Sequence, residues 1–364
     1  MTDSPKPVTL TLGIWGDLPR PFSVLAPMED VTDTVFRRIV KEVGSPDLLM
    51  TEFTSTDGLC SGARAKVVGR LRFTEIEQPV IAQIWGTHPE NFRTVAAECR
   101  DMGFVGVDIN MGCPVRKIIK GGGCGALIGN PRLAAELIAA AREGAGAIPV
   151  SVKTRIGVSR PNAEEWLGFL LQQGIAALTI HGRTVSQQSE GFADWSTVAL
   201  AVRLRDQAGL STRIIGNGDV RTPKAFFQRV EESGADGIMI GRGVFENLFI
   251  FRAIRETAAG VEAPAEFSRL TPREKVDFFH RHLALHRATW GERGNFNVLK
   301  KFAKTYLRAF GGAHDLIDAV MHTHHYSDAL EVLDAWAARR DAGTAEVRKE
   351  SEPCRSERLS STPE

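Results

Sequence analysis

Eight short apolar runs, separated by stretches with helical periodicity, limit what this sequence can fold into. The runs cover residues 23–28, 48–53, 79–86, 106–112, 149–157, 176–184, 212–220 and 236–244. Strands that alternate with helices pair in parallel, and eight such units over about 230 residues match an α/β fold of the (β/α)8 TIM-barrel type. A doubly wound sheet is the alternative. No dinucleotide fingerprint follows the first run, which favours the closed barrel.

The remaining patterns divide the chain into regions. We predict an N-terminal extension over 1–21, the barrel over 22–260, a smaller all-helical domain over 268–340 and a disordered polar tail over 341–364. The extension is acidic at position 3 and has no long apolar core, so we do not expect a signal peptide. No apolar run approaches the roughly 20 residues that cross a bilayer.

Charge and cysteine content restrict the class of protein. Lys and Arg total 45 and Asp and Glu total 44, so any nucleic-acid surface must be a local patch. The five cysteines are odd in number and form no CxxC pair, which argues against a disulfide framework or zinc knuckle. The segment HTHH at 322–325 has no carboxylate or thiol at matching spacing, so we predict no metal site. These features favour a cytoplasmic protein.

Polar side chains end the apolar runs, where barrel enzymes place their active sites. They are Glu52, Gln83, Asn110, Lys153, Arg155, His181, Arg183, Asn217 and Asp219. Lys153 and Arg155 are two positions apart, as are His181 and Arg183, so each pair points to one side of its strand. Buried cations without a ligand are costly, and an anionic ligand would offset that cost. A rim charge or internal ion pair explains any one of these residues, but not the whole set.

Two glycine-rich segments lie at the ends of the seventh and eighth runs. Their sequences are GNGD at 216–219 and IGRG at 240–243. This is the usual place of a phosphate site in a TIM barrel, and Arg242 can add a charge-assisted bond. The segment GGGCGA at 121–126 fits a dinucleotide pattern only loosely and lacks the later acidic residue, so we interpret it as a mobile loop.

Cys113 directly follows the fourth run, in the segment NMGCP. Pro114 favours an extended backbone at Cys113, and Gly112 permits a sharp turn before it. We therefore expect a thiol presented at the barrel mouth. Cys60, Cys99 and Cys124 are expected to be small core residues instead.

Six motifs, taken together and in order, resemble those of the bacterial-type tRNA-dihydrouridine synthases, FMN-dependent reductases of uridine in tRNA. They are LAPMEDVTD (25–33), NMGCP (110–114), VKTRIG (152–157), HGRT (181–184), GNGD (216–219) and IGRG (240–243). The resemblance implies FMN in the barrel mouth, reduced by NADPH or NADH. Where Ser189 stands, the family usually has an aromatic residue, which puts the local RNA contact in question.

The resemblance also implies residue roles. For the flavin it implies contacts from Pro27, Met28, Glu29, Gln83, Lys153 and His181, and for its phosphate a cradle of Asn217, Gly218, Asp219, Gly241 and Arg242. It implies that Cys113 is the general acid and that Asn110, Arg155 and Arg183 bind the substrate. Saturating the C5=C6 bond of uracil takes a hydride and a proton, and a thiol of pKa about 8.5 still carries a proton at neutral pH. Nearby Lys153 and Arg155 would lower that pKa.

The helical domain is locally basic. Between residues 269 and 310 there are ten basic and three acidic residues. Lys300, Lys304 and Arg308 are spaced for one helix face, opposite an apolar stripe. Such a face is often merely solvated, but its concentration here favours contact with tRNA phosphates. We expect a monomer.

Two other functions remain open at this point. One is an FMN-dependent barrel oxidoreductase that acts on a small free pyrimidine or enone, for which a basic helical domain has no purpose. The other is an RNA-binding protein whose barrel has lost catalysis, against which the cysteine, Lys153 and the phosphate loops argue.

Overall fold

The computed structural model describes residues 11–292 and 294–350, the last ten of these by backbone only. Within these residues there are nine strands. They are β1 Phe22–Leu25, β2 Leu49–Met50, β3 Thr54–Ser55, β4 Val80–Trp85, β5 Val107–Met111, β6 Val150–Arg155, β7 Ala177–His181, β8 Arg213–Asn217 and β9 Gly237–Ile240.

The strands form a closed parallel barrel. The order is β1-β9-β8-β7-β6-β5-β4-β2, and a parallel bridge between Val24 and Leu48 joins the two ends. The predicted TIM barrel is confirmed, and each of the eight apolar runs contributes a strand. β3 is a short additional strand that pairs with β4 just after the second run.

Helices alternate with these strands. They are α1 Ile14–Asp17, α2 Thr34–Val43, α3 Thr56–Leu59, α4 Arg64–Val67, α5 Pro89–Asp101, α6 Arg116–Lys120, α7 Pro131–Ala145, α8 Ala163–Leu171, α9 Ser196–Gln207, α10 Pro223–Ser233, α11 Gly243–Glu246 and α12 Ile250–Ala258. Proline occupies the first turn of α5, α7 and α10, where no backbone N–H partner is needed. Thr222 caps α10 through a bond from the Ala225 N–H, and Gly234 ends it at a φ of 67°.

The barrel interior changes from apolar to polar along the strands. One part of the interior is a buried apolar cluster that includes Val24, Met50, Ile81 and Ile215. Trp15 of the N-terminal extension belongs to the same cluster. Further along the strands the buried residues include Gln83, Asp108, Ser151 and Thr179. The polar interior therefore lies towards the C-terminal ends of the strands, where the sequence predicted the site.

The chain divides into two compact units between Phe267 and Ser268. The second unit contains α13 Pro272–Trp290, α14 Lys300–Tyr306, α15 Ala313–Met321 and α16 Tyr326–Glu350, and its described residues include no strand. Its core includes Leu283, Phe302 and Leu333, and hydrogen bonds join His282 to Tyr306 and His286 to Tyr326.

Two details of this unit differ from expectation. α14 ends at Tyr306, and Ala309 takes a left-handed φ of 63°, so Arg308 is not on the same helix as Lys300 and Lys304. α16 continues to Glu350, into the predicted polar tail. Residues 351–364 of that tail, like residues 1–10 of the N-terminal extension, lie outside the described residues.

No helix in the described ranges is both long enough and apolar enough to cross a membrane.

Candidate active site

A cavity opens at the C-terminal ends of the barrel strands. It is lined by Ala26, Pro27, Met28, Phe53, Asn110, Gly112, Cys113, Pro114, Lys153, Arg155, His181, Ser189, Asn217, Gly218, Asp219, Val220, Arg221, Met239, Gly241, Arg242 and Gly243. The fold thus brings most of the predicted barrel residues to one cavity. Glu29, Gln83 and Arg183 are not among the lining residues.

The turn that carries Cys113 is held from two sides. The Asn110 Oδ1 atom accepts hydrogen bonds from the backbone N–H groups of Gly112 and Cys113, at 3.0 and 2.9 Å. On the other side, the Arg155 Nε–H donates to the Gly112 carbonyl at 2.8 Å. The thiol is therefore presented by a fixed backbone.

The Cys113 thiol has a lowered pKa of about 7. The largest cause is a hydrogen bond from the Cys124 thiol, and burial opposes it. The Val115 N–H and Arg155 lower the pKa further. A group with this pKa releases a proton readily near neutral pH.

Cys124 was expected to be a core residue, and it is fully buried. Its contact with Cys113 was not anticipated. Cys124 has a left-handed φ of 50°, and the Gly125 N–H that follows donates to the Cys113 carbonyl at 3.4 Å. The cysteine inside GGGCGA is the only sequence signal for this contact, because the glycines allow the loop to approach the turn.

Lys153 lies in the cavity, half-buried. Its Nζ donates to the Asn217 Oδ1 atom at 3.2 Å, and the Asn217 Nδ2 donates to the Met239 carbonyl at 2.8 Å. Burial, together with Arg155, lowers the pKa of Lys153 to about 8. The pKa of Arg155 is lowered by burial to about 10, so both groups are cationic at neutral pH.

Arg183 was expected to contact the substrate, but the structure gives it a different place. Its side chain is almost fully buried and donates two hydrogen bonds to the Asp219 carboxylate, at 2.7 and 2.8 Å. It also donates to the carbonyls of Glu190 and Gly191. These bonds hold Arg183 inside the protein and attach the loop after β7 to the loop after β8.

His181 lies at the end of β7 and lines the cavity. Burial, followed by the nearby Lys153 and arginines, lowers its pKa to about 2, so the imidazole is neutral. Its Nε2 atom lies 3.2 Å from the Arg183 Nη1, which can only donate. Nδ1 therefore carries the ring proton.

The loops after β8 and β9 bring further charges to the cavity. Burial alone would raise the pKa of Asp219, but bonds from Arg183 and the Ala193 N–H outweigh it and the pKa is lowered. Arg242 is half-exposed, 3.5 Å from Asp219. Arg221, which the sequence analysis missed, also lines the cavity and pairs with Glu246. The sequence signal that could have identified Arg221 is its position two residues after the GNGD segment.

Glu29 and Gln83 do not line the cavity and bond to other residues. Glu29 forms an ion pair with Arg70. Gln83 is fully buried, and its amide bonds to Asp108 and Asn110. Neither residue lines the cavity, so the flavin contacts that the resemblance implied for them stay predictions.

Ser189 lines the cavity, on the loop after β7. The preceding residue, Gln188, has a left-handed φ of 49°, and its carbonyl accepts a bond from the Arg155 Nη1 at 2.8 Å. The position where the family usually has an aromatic residue therefore contributes a small polar side chain to this cavity.

The basic residues of the helical unit have varied surroundings. Lys275 is buried, and the Lys300 Nζ donates to the Met321 carbonyl at 2.9 Å. Arg273 and Arg287 pair with Asp277 and Glu292. These two arginines are exposed, as are Arg269, Arg281, Lys301, Lys304 and Arg308. Arg293 lies outside the described residues.

The described part of the chain contains no group of three or more His, Cys, Asp or Glu residues arranged to hold a metal ion.

Comparison with known proteins identifies relatives over most of the chain. A family model described as dihydrouridine synthase (Dus) matches residues 24–342. The "Probable tRNA-dihydrouridine synthase 2" of Bacillus subtilis (strain 168) is 43% identical over 328 residues, covering 89% of this chain and 97% of that protein. The "Probable tRNA-dihydrouridine synthase" of Staphylococcus aureus (strain COL) is 41% identical over 330 residues, covering 90% of this chain and 96% of that protein.

Proposed function

We propose that this chain, which belongs to the dihydrouridine synthase family, reduces the C5=C6 bond of uridines in tRNA to give dihydrouridine. The observation that carries the proposal is the Cys113 thiol, held at the cavity with a pKa of about 7. Such a thiol supplies the proton that this reduction needs.

The cavity suits FMN by the chemistry of its side chains. Its charged lining residues are Lys153, Arg155, Arg221, Arg242 and Asp219, and Arg183 already neutralises the single carboxylate. This excess of cations favours an anionic phosphate. Ala26, Pro27, Met28 and Phe53 supply apolar surface for a planar ring. When bound, the flavin supplies the hydride, which it receives from NADPH or NADH.

We assign the phosphate to the loops after β8 and β9, with Gly218, Gly241 and Arg242 as contacts. Asp219 would repel a phosphate, so we assign it the role of orienting Arg183 and Arg242. Lys153 and His181 hold the flavin. Asn217 acts mainly through Lys153, to which it is hydrogen bonded.

Cys113 acts as the proton donor to C5 of the uracil. Loss of the proton leaves a thiolate, which the Cys124 thiol, the Val115 N–H and Arg155 stabilise. Asn110 and Arg155 line the same cavity beside Cys113 and are the candidates for contact with the uracil. The sequence analysis foresaw that cations would lower the thiol pKa, and a donor near pKa 7 is still about half protonated at neutral pH.

tRNA binding is assigned to the exposed basic residues of the helical unit, with Lys304 and Arg308 as its candidates from the predicted face. Lys300 has a smaller part, because its ammonium group bonds to the Met321 carbonyl. Phosphate contacts of this kind position RNA without reading its sequence. We further propose that the protein works as a monomer in the cytoplasm, where Cys60, Cys99, Cys113 and Cys124 remain free thiols.

Mass spectrometry of tRNA nucleosides tests the proposal. The protein, supplied with FMN and NADPH, is incubated with tRNA transcripts that lack dihydrouridine. We expect dihydrouridine to form with the wild-type protein and to be nearly absent with Cys113→Ala. No dihydrouridine from the wild type would refute the proposed function, and undiminished product from Cys113→Ala would refute the role of Cys113.

A further inference from the structure

A chain of hydrogen bonds runs beneath the turn that carries Cys113. The Asn110 side chain accepts from the N–H groups of Gly112 and Cys113, and its Nδ2 donates to the Gln83 Oε1 atom at 3.0 Å. The Gln83 Nε2 in turn donates to the Asp108 Oδ2 atom at 2.7 Å. Three side chains therefore connect the barrel interior to the turn.

The groups at the two ends of this series of hydrogen bonds set the direction in which each bond is donated. Backbone N–H groups can only donate, and an ionised carboxylate can only accept. Asn110 must therefore present its oxygen to the turn and its nitrogen to Gln83. Gln83 must then present its nitrogen to Asp108. If either amide were reversed, two acceptors or two donors would face each other.

We propose that Asp108 and Gln83 are positioning residues for Cys113, because an acceptor oxygen at position 108 fixes the orientation of the Gln83 and Asn110 amides and through them the turn that presents the thiol. The catalytic part of this inference rests on the proposed role of Cys113 as proton donor. Its structural part, the orientation of the turn, is independent of that role.

The surroundings of Asp108 support an acceptor role. Its side chain is fully buried, and the Ser151 hydroxyl donates to its Oδ1 atom at 2.6 Å. Burial raises the pKa of Asp108 to about 6, against the bonds from Ser151 and Gln83 and the charge of Lys153. Asp108 is thus largely ionised at neutral pH. A buried carboxylate is costly, and its two donors explain its presence.

The Gly112 peptide also depends on Asn110 for its N–H. Arg155 holds the carbonyl of Gly112 but offers no acceptor. If the Asn110 amide reversed, the N–H groups of Gly112 and Cys113 would both face a donor. Buried N–H groups without a partner are costly, so the turn would move.

Two variants separate the direction of the bonds from the charge. In Gln83→Glu, a second carboxylate faces Asp108, so this contact has two acceptors wherever both groups are ionised. In the double variant Gln83→Glu/Asp108→Asn, the new amide donates to Glu and accepts from Ser151. In that variant every contact still joins one donor to one acceptor, although the bond between positions 83 and 108 is reversed. The net charge is unchanged, because the carboxylate has moved from position 108 to position 83.

Asp108→Asn alone serves as the matched control. The Ser151 hydroxyl can rotate and accept from the new amide nitrogen, which leaves an oxygen for Gln83. The direction of each hydrogen bond is then unchanged. We therefore expect a small effect from this variant, although it removes a buried charge.

Two readouts are measured on the flavin-loaded proteins: the pH profile of Cys113 alkylation, resolved by mass spectrometry, and dihydrouridine formation in tRNA. We expect Gln83→Glu to shift the profile and to slow uridine reduction by about 100-fold, as misplacement of a reacting group does. The double variant should recover most of the activity and the wild-type profile.

The inference is overturned if Gln83→Glu matches the wild type in both readouts. It is also overturned if the double variant is as impaired as Gln83→Glu while its circular dichroism and thermal unfolding match the wild type. A wild-type protein that forms no dihydrouridine would refute the proposed function instead, and the alkylation profiles would still test the orientation of the turn.

Discussion

At the scale of single residues, the interactions around Cys113 explain why this strand ends in a thiol. Asn110 accepts hydrogen bonds from the turn that begins at Gly112, and Arg155 donates to the Gly112 carbonyl. The Cys124 thiol lowers the pKa of Cys113. The motifs were enough to predict the family, because each motif is a short run of adjacent residues. The comparison with known proteins confirms that prediction.

The partners of the cavity residues were harder to predict. Spacing by two positions shows which side of a strand a residue occupies, but not whether a long side chain reaches the cavity or turns away. Lys153 reaches the cavity, whereas Arg183 turns to Asp219 on another strand's loop. Contacts between strands far apart in sequence leave no local pattern.

The first prediction concerns Cys124. Because its thiol donates to Cys113, Cys124→Ala should raise the pKa of Cys113 above about 7, whereas Cys124→Ser, which keeps a donor, should change it less. The measurement is the alkylation rate of Cys113 as a function of pH, followed by peptide mass spectrometry. Identical profiles for Cys124→Ala and the wild type would show that Cys124 does not tune the thiol.

At the scale of elements, the loop after β1 depends on a buried ion pair. Arg37 of α2 and Glu77 are fully buried, with the Nε and Oε2 atoms 2.7 Å apart. Arg37 also donates to the Thr32 carbonyl, and the Thr32 hydroxyl accepts from the Met28 N–H. The pair therefore helps to hold Met28 at the cavity.

The second prediction follows from this pair. Glu77→Ala leaves Arg37 buried without its carboxylate and should lower the free energy of unfolding by about 3–5 kcal/mol. Glu75→Ala, an exposed position in the same turn, should have little effect. Urea unfolding followed by circular dichroism compares the two. Equal stability of both variants would mean that the pair does not stabilise this region.

The eight main strands could be predicted from the sequence, because each is a short apolar run that is separated from the next by a helical stretch. The end of α14 was not, since the apolar spacing continues to Phe310 although the backbone reverses at Ala309. A left-handed φ at an alanine leaves no signal in the sequence. The predicted face of Lys300, Lys304 and Arg308 failed for this reason.

At the scale of the whole molecule, a nearly neutral chain contains a helical unit with several exposed basic residues. The third prediction is that Lys304→Ala/Arg308→Ala weakens tRNA binding and lowers the slope of log affinity against log salt by about 1.4–1.8, the release expected for two phosphate contacts. Flavin reduction should be unchanged, because neither residue belongs to the barrel cavity.

The control for this variant is Arg273→Ala/Arg287→Ala, which removes the same charge from residues that pair with Asp277 and Glu292. We expect a smaller change in the salt slope. Filter binding of tRNA at several salt concentrations measures both. Equal slopes for the two double variants would place the RNA contact elsewhere.

Anaerobic stopped-flow mixing tests the central claim most directly. The flavin is reduced in the protein and then mixed with tRNA lacking dihydrouridine, or with free uridine or an enone, while flavin absorbance is followed. Our account predicts rapid reoxidation by tRNA, little by the small molecules, and slow reoxidation by tRNA in Cys113→Ala. Reoxidation by a free pyrimidine or enone but not by tRNA would contradict it and assign the barrel to a small substrate.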